Sequence, residues 1–298
     1  MHRNFSELFK GIDAGKPKTI AVAAAHDAHT LEAVYAAAER FPIRYVLVGD
    51  RERITAISSE MGHAPNPDDI VDGGDNADCA RKAVGLVREG RGDVLMKGIL
   101  ETGVLLSAVL DRESGIRDAD TLSHAAVLEV PAYHKLITVT DGGMVPNPTP
   151  EQKASIVRNA VSFCLSLGCV TPKVAALCAS ETLSGKIQET VDAAGLQSMC
   201  AKGELGDCLL EGPISFDIAI SREAAAVKGH RSEVSGDADI MLVPNITAGN
   251  ALIKSAIYWG GGKMAGCIIG AKAPIVLVSR GASAEEKLYS IMLCMKGS

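Results

Sequence analysis

The chain has 298 residues, 47% hydrophobic and 22% charged, with a formal net charge of −6 at pH 7 and only 4% aromatic residues. Its length favours two domains of ordinary size over one very large one. The acidic balance and scarcity of rings exclude a nucleic-acid surface of basic patches and stacking side chains, and no apolar run approaches the roughly 18 residues that cross a bilayer, so a soluble protein is expected.

The opening residues, MHRNFSELFKGIDAGKPK, carry no continuous apolar core or small-residue cleavage site of a secretory signal and read as a cytosolic start. From there the N-terminal half alternates β-like and helical runs. Residues 19–25 precede HTLEAVYAAAER, 44–50 precede RERITAISSEMG, and NADCARKAVGLVREG precedes 93–98. This is the βαβ rhythm of a mostly parallel sheet. At the first strand-to-helix turn His26 and His29 flank Asp27; the pattern suits an N-capping aspartate between surface histidines, or a metal if a third ligand joined them.

Residues 122–150 break the rhythm, because HAAVLEV and KLITVTD follow one another without a helix between them. That arrangement predicts an antiparallel or crossing connection at a domain boundary. The Pro- and Gly-rich DGGMVPNPTP leads into a helix whose start is marked by Thr149, Pro150 and Gln152. The second half resumes the alternation through KVAALCAS, DCLLEGP, DADIMLVP, AGNALIKSAIYWGG, AGCIIG and PIVLVSRG, with no fixed-period repeat. The eight cysteines include no C-x-x-C pair and lie mostly in apolar runs, which reads as buried reduced thiols rather than a disulfide framework or metal site.

Several chemistries lose support. Lys254-Ser255 lacks the preceding glycine of a Walker loop, Gly262-Lys263 is followed by Met264, and the first strand ends in AAAHDAHT rather than G-x-G-x-x-G. With no nucleophile elbow and no visible Ser or Cys paired to a histidine, direct transfer fits better than a covalent intermediate. What accumulates is polar residues at the ends of β-like runs: Lys97-Gly98, Asp141, Glu211-Gly212-Pro213, Pro244-Asn245 and Ser279-Arg280. They are expected to converge on one ligand-binding sheet edge. Arg280 offers a forked, permanently charged partner for phosphate; alternatively Ser279 caps the turn and Arg280 pairs with a surface carboxylate. Asn245 to Lys254 likewise reads as an anion-binding helix start or as a capped helix with a solvated lysine.

In order and spacing, several segments together resemble the phosphate acetyl/butyryltransferase family. They are Met96-Lys97-Gly98 with Thr102, Gly115-Ile116-Arg117 followed by Leu122-Ser123-His124, Thr140-Asp141, Glu211 to Asp217, Gly236-Asp237-Ala238-Asp239, Pro244-Asn245 with Gly249-Asn250 and Lys254, and Ser279-Arg280-Gly281. Compact length and the LSHAAVLEVPAY segment look more like the butyryl than the acetyl branch. The resemblance implies two three-layer αβα domains of the isocitrate/isopropylmalate dehydrogenase-like fold with an active-site cleft: residues 1–131 plus 267–298, and residues 132–266, the latter forming a homodimer. It implies a cytoplasmic enzyme that exchanges the acyl group of an acyl-CoA for inorganic phosphate, the CoA thiol attacking acyl phosphate in a ternary complex.

On the matching positions Arg117, Ser279 and Arg280 would bind phosphate and stabilise the oxyanion. Lys97, Thr102, Ser123, Asp141, Asn245, Asn250 and Lys254 would bind substrate. No metal and no tightly bound cofactor is implied; CoA, phosphate and acyl phosphate enter as substrates, with no nucleic-acid or membrane partner. Fixed cations and donors suit the union of two anionic substrates at an acyl carbon.

Two departures stand out. Glu286 occupies the position where the acetyl branch has an aspartate proposed to deprotonate the thiol, yet Ser283-Ala-Glu-Glu286 is also a capping box. After Asp141 the family usually places an asparagine close behind, whereas this chain has Gly142-Gly143-Met144-Val145-Pro146, an altered turn expected to reshape the cleft wall. The rival readings are an acyl carrier protein-dependent transferase, a metal- and NAD-dependent dehydrogenase of the same architecture, and a non-catalytic acyl-CoA or acyl phosphate sensor. The first needs a basic docking patch, and no clear Lys/Arg cluster is visible.

Overall fold

The structure is a computed structural model and describes residues 1–10, 16–278 and 282–298. In chain order the elements are α1 (Phe5–Leu8), β1 (Lys18–Ala23), α2 (Ala28–Arg40), β2 (Ile43–Gly49), α3 (Arg51–Glu60), β3 (Ile70–Asp72), α4 (Asn76–Arg88), β4 (Val94–Lys97) and α5 (Thr102–Leu110). They continue as β5 (Ser123–Glu129), β6 (Ile137–Thr140), α6 (Pro150–Ser166), β7 (Lys173–Leu177), α7 (Gln188–Ala201), β8 (Leu209–Ile214), α8 (Phe216–Ile220) and α9 (Arg222–Val227). Last come β9 (Ile240–Leu242), α10 (Ile246–Tyr258), β10 (Lys263–Ile269), β11 (Ile275–Val276) and α11 (Ala284–Gly297).

The chain forms two compact units, a flanking unit of Phe9–Asp118 with Ala265–Ser298 and a central unit of Met1–Leu8 with Ala119–Met264. The chain passes from one unit to the other after residues 8, 118 and 264, and β5 joins β6 in the central unit, with Leu128 opposite Ile137.

In the flanking unit the strand order is β3-β2-β1-β4-β11-β10, all parallel except β10 against β11. The chain steps from β1 outward to β2 and β3, then returns past β1 to β4. Right-handed crossovers therefore put α2 and α4 on opposite faces, where α2 packs with α11 and α4 with α5. A strand covered on both faces has no polar side, which is why Ile20 to Ala23 of β1 are all fully buried and apolar. The strand β3 escapes sequence reading because it is three residues long and follows Pro67-Asp68-Asp69. The apolar run at 274–278 places only Ile275 and Val276 in the ladder.

The central unit orders its strands β5-β6-β9-β7-β8, with β5 and β6 antiparallel as the sequence suggested and the others parallel. The expected start of α6 is present in full. Pro150 sits in its first turn, the Thr149 hydroxyl accepts from the Gln152 amide, and the Gln152 side chain accepts from the Thr149 amide. Ala126, Val139, Ala175, Met241 and Ile253 share one apolar core with Ile218.

The Gly236-Asp237-Ala238-Asp239 segment is an ionic knot at the starts of three strands. Lys173 at the head of β7 reaches Asp237 at 2.6 Å, Lys135 ahead of β6 reaches Asp239 at 2.6 Å, and the Lys173 amide donates to Asp239 at 3.0 Å. Burial raises the Asp237 pKa, but the bonds from Lys173, Lys135 and His134 outweigh it and hold the carboxyl below the ordinary aspartate range. Five cysteines are buried and Cys178, Cys200 and Cys208 half-buried. Burial pushes Cys164 up to about 12 and Cys178 to about 11, which keeps both thiols protonated near neutral pH.

Candidate active site

In the central unit, the sequence-nominated residues gather where β6 and β9 end. These strands are parallel neighbours, with Thr140 opposite Leu242, so Asp141 and Pro244-Asn245 leave the sheet side by side. Asp141 is buried, and its carboxylate is consumed by the turn that follows. Oδ1 accepts from the amides of Gly143 and Met144, each at 2.8 Å, and Oδ2 accepts from Val145 at 3.1 Å. A carboxylate satisfied by three backbone donors shapes a loop better than it binds an anionic substrate. The glycine-rich segment after Asp141 is thus a tight turn wound around that side chain.

Asn245 caps α10, its side chain accepting from the Ala248 amide at 3.0 Å, and the Ile246 amide donates to Pro146 of the Asp141 turn at 3.1 Å. Gly249 lets helix and turn meet: a Cβ there would stand 2.7 Å from the Gly142 Cα and 3.0 Å from the Asp141 carbonyl oxygen. Asn250 and Lys254, one helical turn apart on α10, are exposed. Ser123 is buried at the start of β5, where Asn159 of α6 donates to its hydroxyl at 3.2 Å.

In the flanking unit, β4 and β11 run parallel with Met96 opposite Val276, which sets Lys97-Gly98 alongside residues 277 and 278. Gly98 is pressed onto the end of β1. Its amide donates to the Ala23 carbonyl at 2.8 Å, and a Cβ would collide with the carbonyls of Ala24 and Ala23, the latter at 2.6 Å. The Lys97 ammonium donates to the carbonyls of Gly98 and Leu100 at 3.0 and 2.9 Å, holding a positive charge over this turn. Asp27 caps α2 as expected, accepting from the Thr30 amide at 3.1 Å, with His29 exposed and His26 half-buried. Asp27, Thr30, Lys97, Gly98, Val278 and Lys287 line a pocket of about 410 Å³.

Thr102 occupies the first position of α5. Arg117 is exposed in a bridge to Ala271. Glu286 lies in the first turn of α11, where its amide donates to the Ser283 hydroxyl at 3.1 Å, the capping half of the expected box. Ser279, Arg280 and Gly281 lie outside the described residues. Glu211-Gly212-Pro213 does not end a strand: β8 runs on through Ile214, which stands opposite Leu177, so this triplet is part of the sheet. Lys287 and His124, which the motifs did not nominate as site residues, also stand at these edges.

A family model described as Phosphate acetyl/butaryl transferase matches residues 74–295. The chain belongs to this family. It is 45% identical over 95% of its length, and 94% of the relative's, to a protein named "Probable phosphate butyryltransferase" from Bacillus subtilis (strain 168). To the phosphate butyryltransferase of Clostridium acetobutylicum it is 39% identical, covering 98% of this chain and 97% of that one. Among solved structures, a branched-chain phosphotransacylase from Enterococcus faecalis V583 superposes with a TM-score of 0.83 at 32% identity, over 94% of this chain and 98% of the other. Members so named are enzymes, and the two-unit α/β architecture is the one the family resemblance implied.

Proposed function

We propose that this phosphate acyltransferase interconverts a short-chain acyl-CoA plus inorganic phosphate with acyl phosphate plus CoA, with butyryl-type chains favoured. The observation that carries the reading is near-full-length identity of 45% and 39% to relatives named as phosphate butyryltransferases. Identity at that level spans both units and therefore both edges described above.

Direct transfer follows from the chemistry. Acyl phosphate and CoA are both anionic, so the site must hold them together and stabilise an oxygen that gains charge as the thiol adds to the acyl carbon. Lys97, Lys254, Arg117 and Arg280 are the cations we assign to the phosphate groups, with Ser279 and Asn250 as neutral donors. Thr102 and Asn245 place the helix starts of α5 and α10 beside the substrates, and Ser123 and Asp141 act by fixing the strand ends. Glu286 remains our candidate to take the thiol proton. CoA is a substrate in this scheme and no resident cofactor takes part.

The protein is further proposed to act in the cytoplasm as a homodimer formed through the central unit. There Tyr258 and Trp259 are 79% and 89% exposed, and Leu183, Phe216 and Val227 are also open to solvent, apolar side chains that a partner copy could cover. Light scattering should give twice the chain mass, and a monomer at micromolar concentration would refute the dimer.

Thiol release from acetyl-, propionyl-, butyryl- and branched acyl-CoA, with and without phosphate, tests the activity. Release only with phosphate supports transfer. Tight acyl-CoA binding without turnover would favour the sensor, and reduction of a nicotinamide would favour the dehydrogenase.

A further inference from the structure

His124 is an imidazole with no hydrogen-bond partner among the described residues. It is the second residue of β5, and the antiparallel register that sets Ala126 opposite Val139 carries on to set His124 beside Asp141. The ring lies against the Asp141 turn: a Cβ on Gly143 would stand 3.0 Å from the His124 Cγ and 3.1 Å from its Nδ1, so a larger residue there would push the ring by a few tenths of an ångström. Nδ1 is buried without a hydrogen-bond partner, and among the described residues neither ring nitrogen has one. No hydrogen bond joins the ring to the nearby Asp141 carboxylate, whose oxygens accept the amides of Gly143, Met144 and Val145.

These contacts assign the proton. Of the two nitrogens only Nδ1 is among the buried unpartnered atoms, and a buried N–H with no acceptor is costlier than a buried lone pair with no donor, so the hydrogen of the neutral ring is assigned to Nε2. Burial lowers the His124 pKa and the Asp141 charge opposes it, the net direction favouring the neutral form. A ring protonated at Nε2 can donate one hydrogen bond there, and cannot accept a proton at the same atom.

We propose that neutral His124 donates from Nε2 to the carbonyl oxygen of the transferred acyl group as that oxygen becomes negative. The inference rests on the phosphate acyltransferase reading. In the step concerned, the CoA sulfur bonds to the acyl carbon while the carbonyl π pair moves onto oxygen. When that pair returns, the bond between acyl carbon and phosphate oxygen breaks, phosphate leaves with the bonding electrons, and the thiol proton ends on phosphate. His124 gives up no proton in this sequence. It makes a stronger hydrogen bond in the transition state than in the ground state, which is the kind of contact that raises kcat.

The test compares full-length protein with His124→Ala and His124→Gln, measuring kcat and KM for acyl-CoA and phosphate. Nitrogen-15 NMR of the labelled imidazole reads the tautomer. Loss of one oxyanion donor predicts a fall in kcat of about 100- to 1,000-fold for His124→Ala with little change in KM for phosphate. His124→Gln keeps an N–H in reach and should recover part of that loss, and the spectrum should show a neutral ring protonated at Nε2. The proposal is overturned by normal turnover in His124→Ala, by equal losses in both variants, or by a ring protonated at Nδ1. Wild-type protein without phosphate-dependent thiol release would overturn the acyltransferase reading itself, an outcome distinct from active wild type with indifferent variants.

Discussion

Replacing Asp141 with Asn separates a turn-building role from a substrate-binding one. The carboxylate holds three amides, two on Oδ1 and one on Oδ2. An asparagine can keep its oxygen on Gly143 and Met144, but then turns an NH2 group toward the Val145 amide, donor against donor. Leaving one part-buried amide unsatisfied costs about 1 kcal/mol, the low end of the range for a buried donor, and loss of charge weakens the two surviving bonds, for a total of about 1 to 3 kcal/mol. The opposite rotamer strands two amides and is worse. Urea denaturation should show this loss in the central unit, and hydrogen exchange should show the Gly143, Met144 and Val145 amides exchanging faster. Because α10 meets the turn through Gly249 and His124 lies on Gly143, turnover should fall as well. Unchanged stability and unchanged amide exchange with a raised KM for phosphate or acyl-CoA would refute this reasoning and return Asp141 to direct substrate contact.

Gly98→Ala should destabilise the flanking unit by about 1 to 3 kcal/mol and suppress turnover, since the new methyl meets the carbonyls of Ala23 and Ala24 and no flexible side chain can yield; a melting curve and activity matching wild type would contradict this. Lys173→Met should move acid unfolding to higher pH. The sign follows from Asp237, whose folded pKa is lowered: its contribution is complete above the unfolded aspartate value and is lost as pH falls through the lower folded value. Removing the 2.6 Å partner narrows that gap, so circular dichroism against pH should show earlier loss of structure, whereas an unmoved midpoint would deny the knot its role.

Most of the framework was legible because it follows from local patterning. Buried strands such as β1 read as continuous apolar runs, and α6 announces itself through Thr149, Pro150 and Gln152. The antiparallel pairing of β5 and β6 followed from two β-like runs with no room for a crossover helix. What escaped depends on contacts distant in sequence. Nothing in residues 122–145 alone says that Asp141 will be spent on its own turn, or that Gly249 of a later helix will press against Gly142. The strand β8 passing through Glu211-Gly212-Pro213 defeats a rule that polar and turn-forming residues end strands. His124 was visible within a family motif, but only three-dimensional packing shows that its Nδ1 is buried with no hydrogen-bond partner among the described residues.

The most direct test of the central claim is CoA thiol release from butyryl-CoA by purified protein, with and without inorganic phosphate, followed by chemical detection of the acyl phosphate formed. Phosphate-dependent release with stoichiometric acyl phosphate, at a higher kcat/KM for butyryl- than for acetyl-CoA, is the result predicted. Release that ignores phosphate, or none with any acyl chain, would contradict it.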